Sequence, residues 1–357
     1  MRTVFLSAAS LIFVVYYDFN ASILLILLTA YAYLFSYLIF KGKNKSFIHK
    51  ISVAGFLLVL IISKYLGLLT ETFNNVASFF NLLPKLNIEK ILPPLGISYI
   101  TFKLISYLTD VYWGVVEKGK FIDVLCYSSL FTIYTAGPIE RFERFNPQIT
   151  EKRKLRANDI EAGVKRIIYG LFKKFVIADW IGYFIAPVLQ NQEHYSAGIR
   201  ALALLGFSFE IYTDFAGYSD IAIGSSRLFG LKIMENFDNP YIQSSITKFW
   251  RHWHISLSDW IRDYIFFPLS GFSRRKIWLL FFVPVISMAL CGIWHGASWN
   301  FMIWGVWHGV GISVYQIFHY YKKKNKISFK FENTVLFKYV SIVFTFIFVT
   351  VGWWWFL

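Results

Sequence analysis

Residues 277–321 read IWLLFFVPVISMALCGIWHGASWNFMIWGVWHGVGISVYQIFHYY and contain no Lys, Arg, Asp or Glu. Glycines, histidines and one proline break this apolar stretch. An α-helix rises about 1.5 Å per residue, so about 20 apolar residues cross the hydrocarbon core of a bilayer. The 45 residues are long enough for two crossings, and they predict a polytopic, all-α membrane protein.

The rest of the chain has the same character. Of its 357 residues, 56% are hydrophobic, 20% are aromatic and 16% are charged, which excludes a disordered chain and is atypical of a soluble domain. Residues 19–40 and 339–357 are also uncharged. The first apolar run follows a single Arg and lacks a small-residue cleavage site, so we expect a retained span and not a removable signal peptide.

The basic residues predict the topology. The net charge is +15, and Lys and Arg cluster in connectors at 41–50, 141–166, 274–276 and 322–330, which favours cytoplasmic loops over a nucleic-acid surface. With the N-terminus inside, we predict about nine crossings, near 3–17, 19–40, 51–69, 91–113, 167–190, 197–213, 277–294, 299–321 and 339–357. The run 124–139 is then re-entrant or buried against protein, and residues 1–357 form a single integral membrane domain.

Two histidines lie inside the long uncharged stretch. His295 occurs in CGIWHGASWNF and His308 in WGVWHGVGIS, each after Trp and before Gly. Polar groups at membrane depth are costly and mark functional sites. His295 falls between two predicted spans, where a water-poor pocket can tune an imidazole to act as a base near neutral pH. A core histidine hydrogen-bonded to a carbonyl is the alternative, more so for His308.

A second group of candidates lies in residues 244–271, SSITKFWRHWHISLSDWIRDYIFFPLSG. Ser245 or Thr247 can cap a helix, and Trp250, His254 and Ser258 then share one face of it. An amphipathic helix at the membrane interface explains the aromatic and basic residues, but it does not explain a histidine on the apolar side.

Basic residues are candidates for holding the phosphates of a donor. Arg141 and Arg144 follow Gly137-Pro138, while Arg251 and Arg262 lie around the predicted helix of residues 244–271. Guanidinium groups bind phosphates by charge-assisted hydrogen bonds, although a topology signal explains Arg141 and Arg144 equally well. We expect no metal site, because the two histidines of the H-x-H at 252–254 point about 200° apart on a helix.

A third group lies in residues 207–241, FSFEIYTDFAGYSDIAIGSSRLFGLKIMENFDNPY. Glu210, Asp214 and Tyr218 are spaced at i, i+4 and i+8, and Asp220 and Arg227 at i and i+7. Such groups can line the wall of a water-filled funnel. We expect structural ion pairing from these acids, and not direct catalysis, because intramembrane carboxylates usually pair with basic partners.

Taken together, these segments resemble the membrane-bound O-acyltransferase family, above all the branch with the membrane subunits of bacterial alginate and peptidoglycan O-acetylation. The resemblance covers about residues 91–313 and runs through seven ordered segments. They are PLGISYITFKLISYLTDVYWG, AGPIERF, FKKFVIAD, DFAGYSDIAIG, ENFDNPY, FWRHWHISLSDWIRDYIFFPL and GIWHGASWNF.

The resemblance implies a ring of tilted helices with re-entrant segments around a central cytoplasmic funnel. The catalytic histidine of the family corresponds to His295, and its other recurrent polar position corresponds to His254. The implied activity is O-acetylation of an extracytoplasmic polysaccharide, with acetyl-CoA as donor substrate, a separate extracytoplasmic transferase as partner, and a location in the bacterial cytoplasmic membrane.

Some features depart from this pattern or leave alternatives open. Trp113 stands where relatives usually carry a basic residue, and His252 replaces a common Arg. The chain stops at GWWWFL where relatives continue, as a truncated product or a short branch would.

D-alanyl transfer to teichoic acid from a carrier-protein donor is the second enzyme hypothesis, although SYLTDVYWG and WHISLSDW favour the acetylation branch. A transporter or flippase and a catalytically inactive scaffold are the remaining alternatives.

Overall fold

The computed structural model of the chain describes residues 2–80, 86, 93–151, 155–271 and 277–357. Within these ranges the protein is helical and contains no β-strand, which confirms the predicted all-α class. The chain divides into two compact units. Unit 1 is Met1–Ile160 with Ser226–Ile233, and unit 2 is Glu161–Ser225 with Met234–Leu357.

Sixteen α-helices follow one another in the described ranges. Helices α1 to α8 are Arg2–Tyr17, Phe19–Lys41, Lys45–Leu60, Leu66–Phe79, Ile97–Trp113, Phe121–Ser129, Phe142–Thr150 and Ala157–Leu171. Helices α9 to α16 are Asp179–Gln190, Ala197–Leu228, Ile246–His252, Ile255–Ile261, Phe267–Gly271, Ile277–His295, Trp299–Lys324 and Val335–Gly352. Three π-helical segments join α3 to α4, α8 to α9 and α12 to α13, and they are Ile61–Tyr65, Phe172–Ala178 and Arg262–Phe266.

Several of these helices are long and apolar enough to cross a bilayer. In the described ranges there are four such stretches, Phe19–Lys41, Lys45–Phe79, Trp299–Lys324 and Val335–Trp355. Shorter apolar helices occur at Arg2–Tyr17, Phe121–Ile133 and Phe281–His295. The protein is therefore a membrane protein, as predicted, while the count of nine crossings and the ring with its funnel stay predictions.

Three predicted spans are parts of longer helical stretches. Residues 51–69 lie within a continuous helical path from Lys45 to Phe79, and residues 167–190 lie within one from Ala157 to Gln190. The predicted span 197–213 is only the first half of α10. The helix continues past residue 213 because its polar residues find charged partners, so the change in polarity does not end it.

Unit 1 contains a buried polar core among apolar helices. Thr29 of α2 and Ser128 of α6 share a hydrogen bond of 2.8 Å. The Lys103 side chain of α5 is fully buried, and its ammonium lies 4.8 Å from the ring centroid of Tyr127. Such contacts compensate part of the cost of burying polar groups.

In unit 2, glycines bring α14 and α15 into close contact. A Cβ atom at Gly292 would lie 2.1 Å from the carbonyl oxygen of Phe301, and one at Gly305 would lie 2.1 Å from that of Met288. Small residues at helix interfaces allow membrane helices to approach closely. This packing places His295, the last residue of α14, beside the first turns of α15.

Candidate active site

His254 lies between two short helices and not within one. Helix α11 ends at His252, α12 begins at Ile255, and His254 has the left-handed angles φ 41° and ψ 55°. The predicted single helix, with Trp250, His254 and Ser258 on one face, is therefore wrong. The Ile255 N–H donates to the Asn236 carbonyl at 2.9 Å, and this contact from a remote segment supports a backbone conformation that is costly for a non-glycine residue.

The start of α11 agrees with the sequence. The Ser245 hydroxyl accepts a hydrogen bond from the Lys248 N–H at 3.3 Å, which is the N-cap contact that the pattern predicted.

The His254 ring is buried, with 1% of the residue exposed. Its Nδ1 lies 3.3 Å from the Asn236 Oδ1, and ring contacts join it to Phe215 at 4.7 Å and to Trp294 at 6.1 Å. Its Nε2 has no hydrogen-bond partner in the described part of the chain. Burial, and then the positive charge that His295 can carry, lower the pKa of His254 well below its ordinary value, so the imidazole is neutral near pH 7.

The His295 ring is half-buried and surrounded by aromatic side chains. Ring centroids lie 4.9 Å away for Trp294, 5.1 Å for Trp304 and 5.2 Å for Phe356. The Trp294 ring thus contacts both His295 and His254. The C-terminal end of a helix favours a cation, so the end of α14 suits an imidazole that takes up a proton.

His308 is a fully buried residue of α15. Its Nδ1 accepts a hydrogen bond of 3.3 Å from the Trp250 indole, whereas the core interpretation supposed that the ring donates to a carbonyl. The Trp304 ring lies 5.0 Å from His308, and a Cβ atom at Gly352 would lie 2.9 Å from the His308 Nε2. His308 therefore holds α11 against α15 and is packed too closely to meet a substrate directly.

Further aromatic side chains enclose this region of unit 2. Trp353 contacts Trp253 at 5.0 Å and Trp304 at 5.9 Å, and Phe356 contacts Trp304 at 5.2 Å. Water-poor surroundings of this kind strengthen hydrogen bonds and charge interactions. The residues after α16 thus contribute directly to the surroundings of His295.

Two of the three acids of α10, Asp214 and Asp220, form ion pairs as the sequence predicted. Asp214 forms an ion pair with Lys174. Asp220 pairs with Arg166 at 2.9 Å and with Lys173 at 2.6 Å. All three basic partners come from the helical stretch that precedes α10 along the chain.

Two other charged residues of α10, Arg227 and Glu210, do not form the ion pairs that the sequence predicted. Arg227 pairs with Asp159 at 3.3 Å within unit 1, and not with Asp220. Glu210 has no ion pair in the described ranges, and it lines a cavity of about 460 Å³ in unit 2 together with Asn300 and Trp354. The lining is partly polar, because Glu210 contributes a carboxylate, Asn300 an amide and Trp354 an indole. Asn300 precedes Phe301 in the chain, and Leu357, which also lines the cavity, follows Phe356.

Three of the four arginines predicted to hold the donor phosphates, Arg251, Arg262 and Arg141, lie in different surroundings. Arg251 is exposed, with no ion pair in the described ranges. Arg262 pairs with Asp259 at 2.5 Å and with Asp263 at 2.8 Å. Arg141 belongs to unit 1, where its backbone N–H donates to the Glu140 carboxylate at 3.0 Å. Arg251 is thus the candidate in unit 2 with a free guanidinium.

Sequence reasoning missed three residues of this site, namely Asn236, Trp304 and Phe356. Asn236 lies in the quoted ENFDNPY segment, and an amide within a short polar segment after a long helix is a signal for a positioning role. The contacts of the two aromatic residues link segments that are distant along the chain, so spacing does not reveal them.

Residues 105–352 match the sequence profile of MBOAT, the membrane-bound O-acyltransferase family. This chain belongs to the membrane-bound O-acyltransferase family. The names of its relatives differ in the acyl group that is transferred. A probable alginate O-acetylase AlgI of Azotobacter vinelandii is 37% identical over 262 residues, which are 72% of this chain and 51% of that protein.

Two further relatives are named for the modification of other polymers. A peptidoglycan O-acetyltransferase of Helicobacter pylori is 31% identical over 303 residues, covering 77% of this chain and 56% of that protein. A teichoic acid D-alanyltransferase of Bacillus subtilis is 30% identical over 366 aligned positions, covering 98% of this chain and 88% of that protein. This acyltransferase-family chain spans about half the length of the alginate O-acetylases that it matches.

Proposed function

We propose that this chain transfers an acetyl group from a cytoplasmic thioester, acetyl-CoA, to a hydroxyl on the extracytoplasmic side, for the O-acetylation of a polysaccharide. The observation that carries the proposal is that His254 and His295 flank one indole, Trp294, in a buried aromatic region. Membership of an acyltransferase family supports the reaction class. Relatives named for alginate and peptidoglycan O-acetylation support acetyl as the group.

His295 acts as the general base in this proposal. Its imidazole takes the proton from the acceptor hydroxyl while the hydroxyl oxygen attacks the thioester carbonyl carbon. The tetrahedral intermediate then loses the thiolate by cleavage of the C–S bond, and the imidazolium returns the proton to the sulfur. The products are an ester and a free thiol, so atoms and protons balance. The end of α14 stabilises the transient imidazolium.

His254 orients the donor beside this base, and Arg251 supplies a positive charge for donor phosphates. The basic connectors support donor entry from the cytoplasmic face of a bacterial cytoplasmic membrane. A separate extracytoplasmic transferase receives the acetyl group or presents the acceptor, which makes the acceptor a hydroxyl on that partner or on the sugar itself.

D-alanyl transfer to teichoic acid is the second candidate function. The match to a D-alanyltransferase along 98% of this chain favours it. The donor separates the two functions, because one uses free acetyl-CoA and the other an aminoacylated carrier protein.

The test is transfer of a labelled acyl group in membranes that contain the natural full-length protein and its extracytoplasmic partner. Acetyl-CoA and a D-alanyl carrier protein are supplied separately. We expect label in an extracytoplasmic acceptor from acetyl-CoA with the wild type. We expect His295→Ala to lose at least about a hundredfold in rate, because proton transfer contributes about 10²- to 10⁴-fold to such reactions.

His194→Ala is the matched control, because His194 is an exposed histidine of the same unit, and it should keep wild-type transfer. Label from the D-alanyl carrier alone would replace the leading proposal by the second candidate. Wild-type turnover in His295→Ala would contradict the assignment of the base.

A further inference from the structure

The orientation of the Asn236 amide is fixed by its surroundings. Its Nδ2 donates to the Ser219 hydroxyl at 3.1 Å. Its Oδ1 accepts from the Ser256 backbone N–H at 3.3 Å and from the Ser256 hydroxyl at 2.6 Å. A backbone N–H can only donate, so the atom that faces Ser256 is the oxygen, and the amide cannot be reversed without breaking this network.

This orientation determines where the proton of His254 lies. The same Asn236 oxygen lies 3.3 Å from the His254 Nδ1. An amide oxygen carries no proton, so Nδ1 must donate, and the neutral ring then has a lone pair on Nε2.

His308 has the opposite arrangement in the same unit. The Trp250 indole nitrogen can only donate, and it donates to the His308 Nδ1 at 3.3 Å. Nε2 of His308 therefore carries the proton. The two buried histidines are thus held in different tautomers by the chemistry of their partners.

The His254 Nε2 has no partner in the described ranges although the residue is 1% exposed. A buried acceptor without a hydrogen bond is unfavourable and calls for an explanation. At a site that also contains His295, the explanation is a ligand that brings a hydrogen-bond donor.

We propose that Asn236 is a positioning residue that holds His254 in the Nδ1–H tautomer, so that the His254 Nε2 accepts a hydrogen bond from an N–H or O–H group of a substrate. The identity of that substrate rests on the proposed function, but the tautomer does not. The hydrogen-bond donor has two candidate sources: an amide N–H of the pantetheine arm that acyl-CoA and acyl carrier proteins share, or a hydroxyl of the acceptor other than the one that His295 deprotonates. A neutral His254 in this tautomer orients a substrate by accepting and does not polarise a carbonyl by donating.

The first experiment reads the tautomer directly in the folded wild-type protein. Protein labelled with ¹⁵N-histidine is examined at pH 7.5 by long-range ¹H–¹⁵N correlation, which distinguishes protonated from unprotonated ring nitrogens. Signals are assigned by their loss in His254→Asn and His308→Asn. We expect the proton on Nδ1 in His254 and on Nε2 in His308, and a proton on Nε2 of His254 would overturn the proposal.

The second experiment tests the role of Asn236 by a conservative rescue. Asn236→Asp keeps an oxygen that accepts from Nδ1–H, whereas Asn236→Leu removes it. We expect Asn236→Leu to lose at least about tenfold in transfer rate, the effect of losing the hydrogen bond that positions His254. We also expect it to lose the Nδ1–H preference. Asn236→Asp should retain more of the transfer rate and of the Nδ1–H preference than the Leu variant. The control is Asn191→Leu at an exposed position, which should match the wild type.

Substrate titrations with Asn236→Leu then identify the donor group. A raised KM for the acyl donor assigns the pantetheine amide, and a raised KM for the acceptor assigns the hydroxyl. Equal activity and equal spectra of the Asp and Leu variants would contradict a positioning role for Asn236. The spectra do not depend on turnover, so failure of the proposed reaction and failure of this inference give different results.

Discussion

At the scale of single residues, the protonation of His254 couples the site to the stability of the protein. The ring is neutral in the folded state because burial lowers its pKa, and His295 is the titratable neighbour that adds to this effect. In the unfolded chain the same ring has its ordinary pKa, about 6.5. Below that pH the unfolded chain binds a proton that the folded protein excludes.

We therefore expect the stability of the folded protein to fall as the pH drops below about 6.5, with a contribution from His254 of up to about 1.4 kcal/mol per pH unit. Above that pH the contribution is complete. Thermal unfolding between pH 8 and pH 5 measures this, and His254→Asn should have a flatter profile than the wild type. An equally steep profile in the variant would show that His254 is not excluded from protonation.

Single residues also show what sequence can and cannot predict about the site. His295 stands out in the sequence because histidines are rare in apolar segments. His254 stands out because it falls on the apolar side of the predicted amphipathic helix, and the structure places both histidines beside Trp294. The hydrogen-bond partner of His254 does not stand out in the sequence in this way. Asn236 is 18 positions away along the chain, and only the folded backbone brings its amide to the ring.

At the scale of elements, the close contact of α14 and α15 determines where His295 lies. Gly305→Ala would place a Cβ atom 2.1 Å from the Met288 carbonyl oxygen, so the helices would have to separate. We expect a loss of about 1 to 3 kcal/mol in stability, typical of overpacking, and reduced transfer as His295 moves. Thermal unfolding and the labelled acyl-transfer assay measure the two effects.

Gly67→Ala in α4 is the matched control for this substitution. A Cβ atom at Gly67 meets nothing within 4 Å, and alanine is favoured over glycine in a helix by about 1 kcal/mol. This variant should be as stable as the wild type or more so. If Gly305→Ala behaved like Gly67→Ala, the close packing of α14 on α15 would be contradicted.

The elements themselves were predictable to differing degrees. The apolar runs predicted α1, α2, α14 and α15 to within a few residues, and Ser245 predicted the start of α11. The break at His254 was not predictable, because a left-handed residue between α11 and α12 depends on backbone contacts with residues 236–238. The continuation of α10 past residue 213 depends likewise on lysines and an arginine from another helical stretch.

At the scale of the whole molecule, family membership and the site in unit 2 support one reaction class. The family profile covers residues 105–352, which include His254, His295, Trp294 and Trp304 but not Phe356. The relatives carry names for acetyl and for D-alanyl transfer, so the acyl group in their names differs.

The central claim is that the protein carries out acyl transfer that depends on His295. The most direct measurement follows, in the same reaction, the free thiol released from acetyl-CoA and the acetyl ester formed on the acceptor, for the wild type and for His295→Ala. We expect equal amounts of thiol and ester with the wild type and neither above background with the folded variant. Thiol release without ester, or equal rates for the two proteins, would contradict the account.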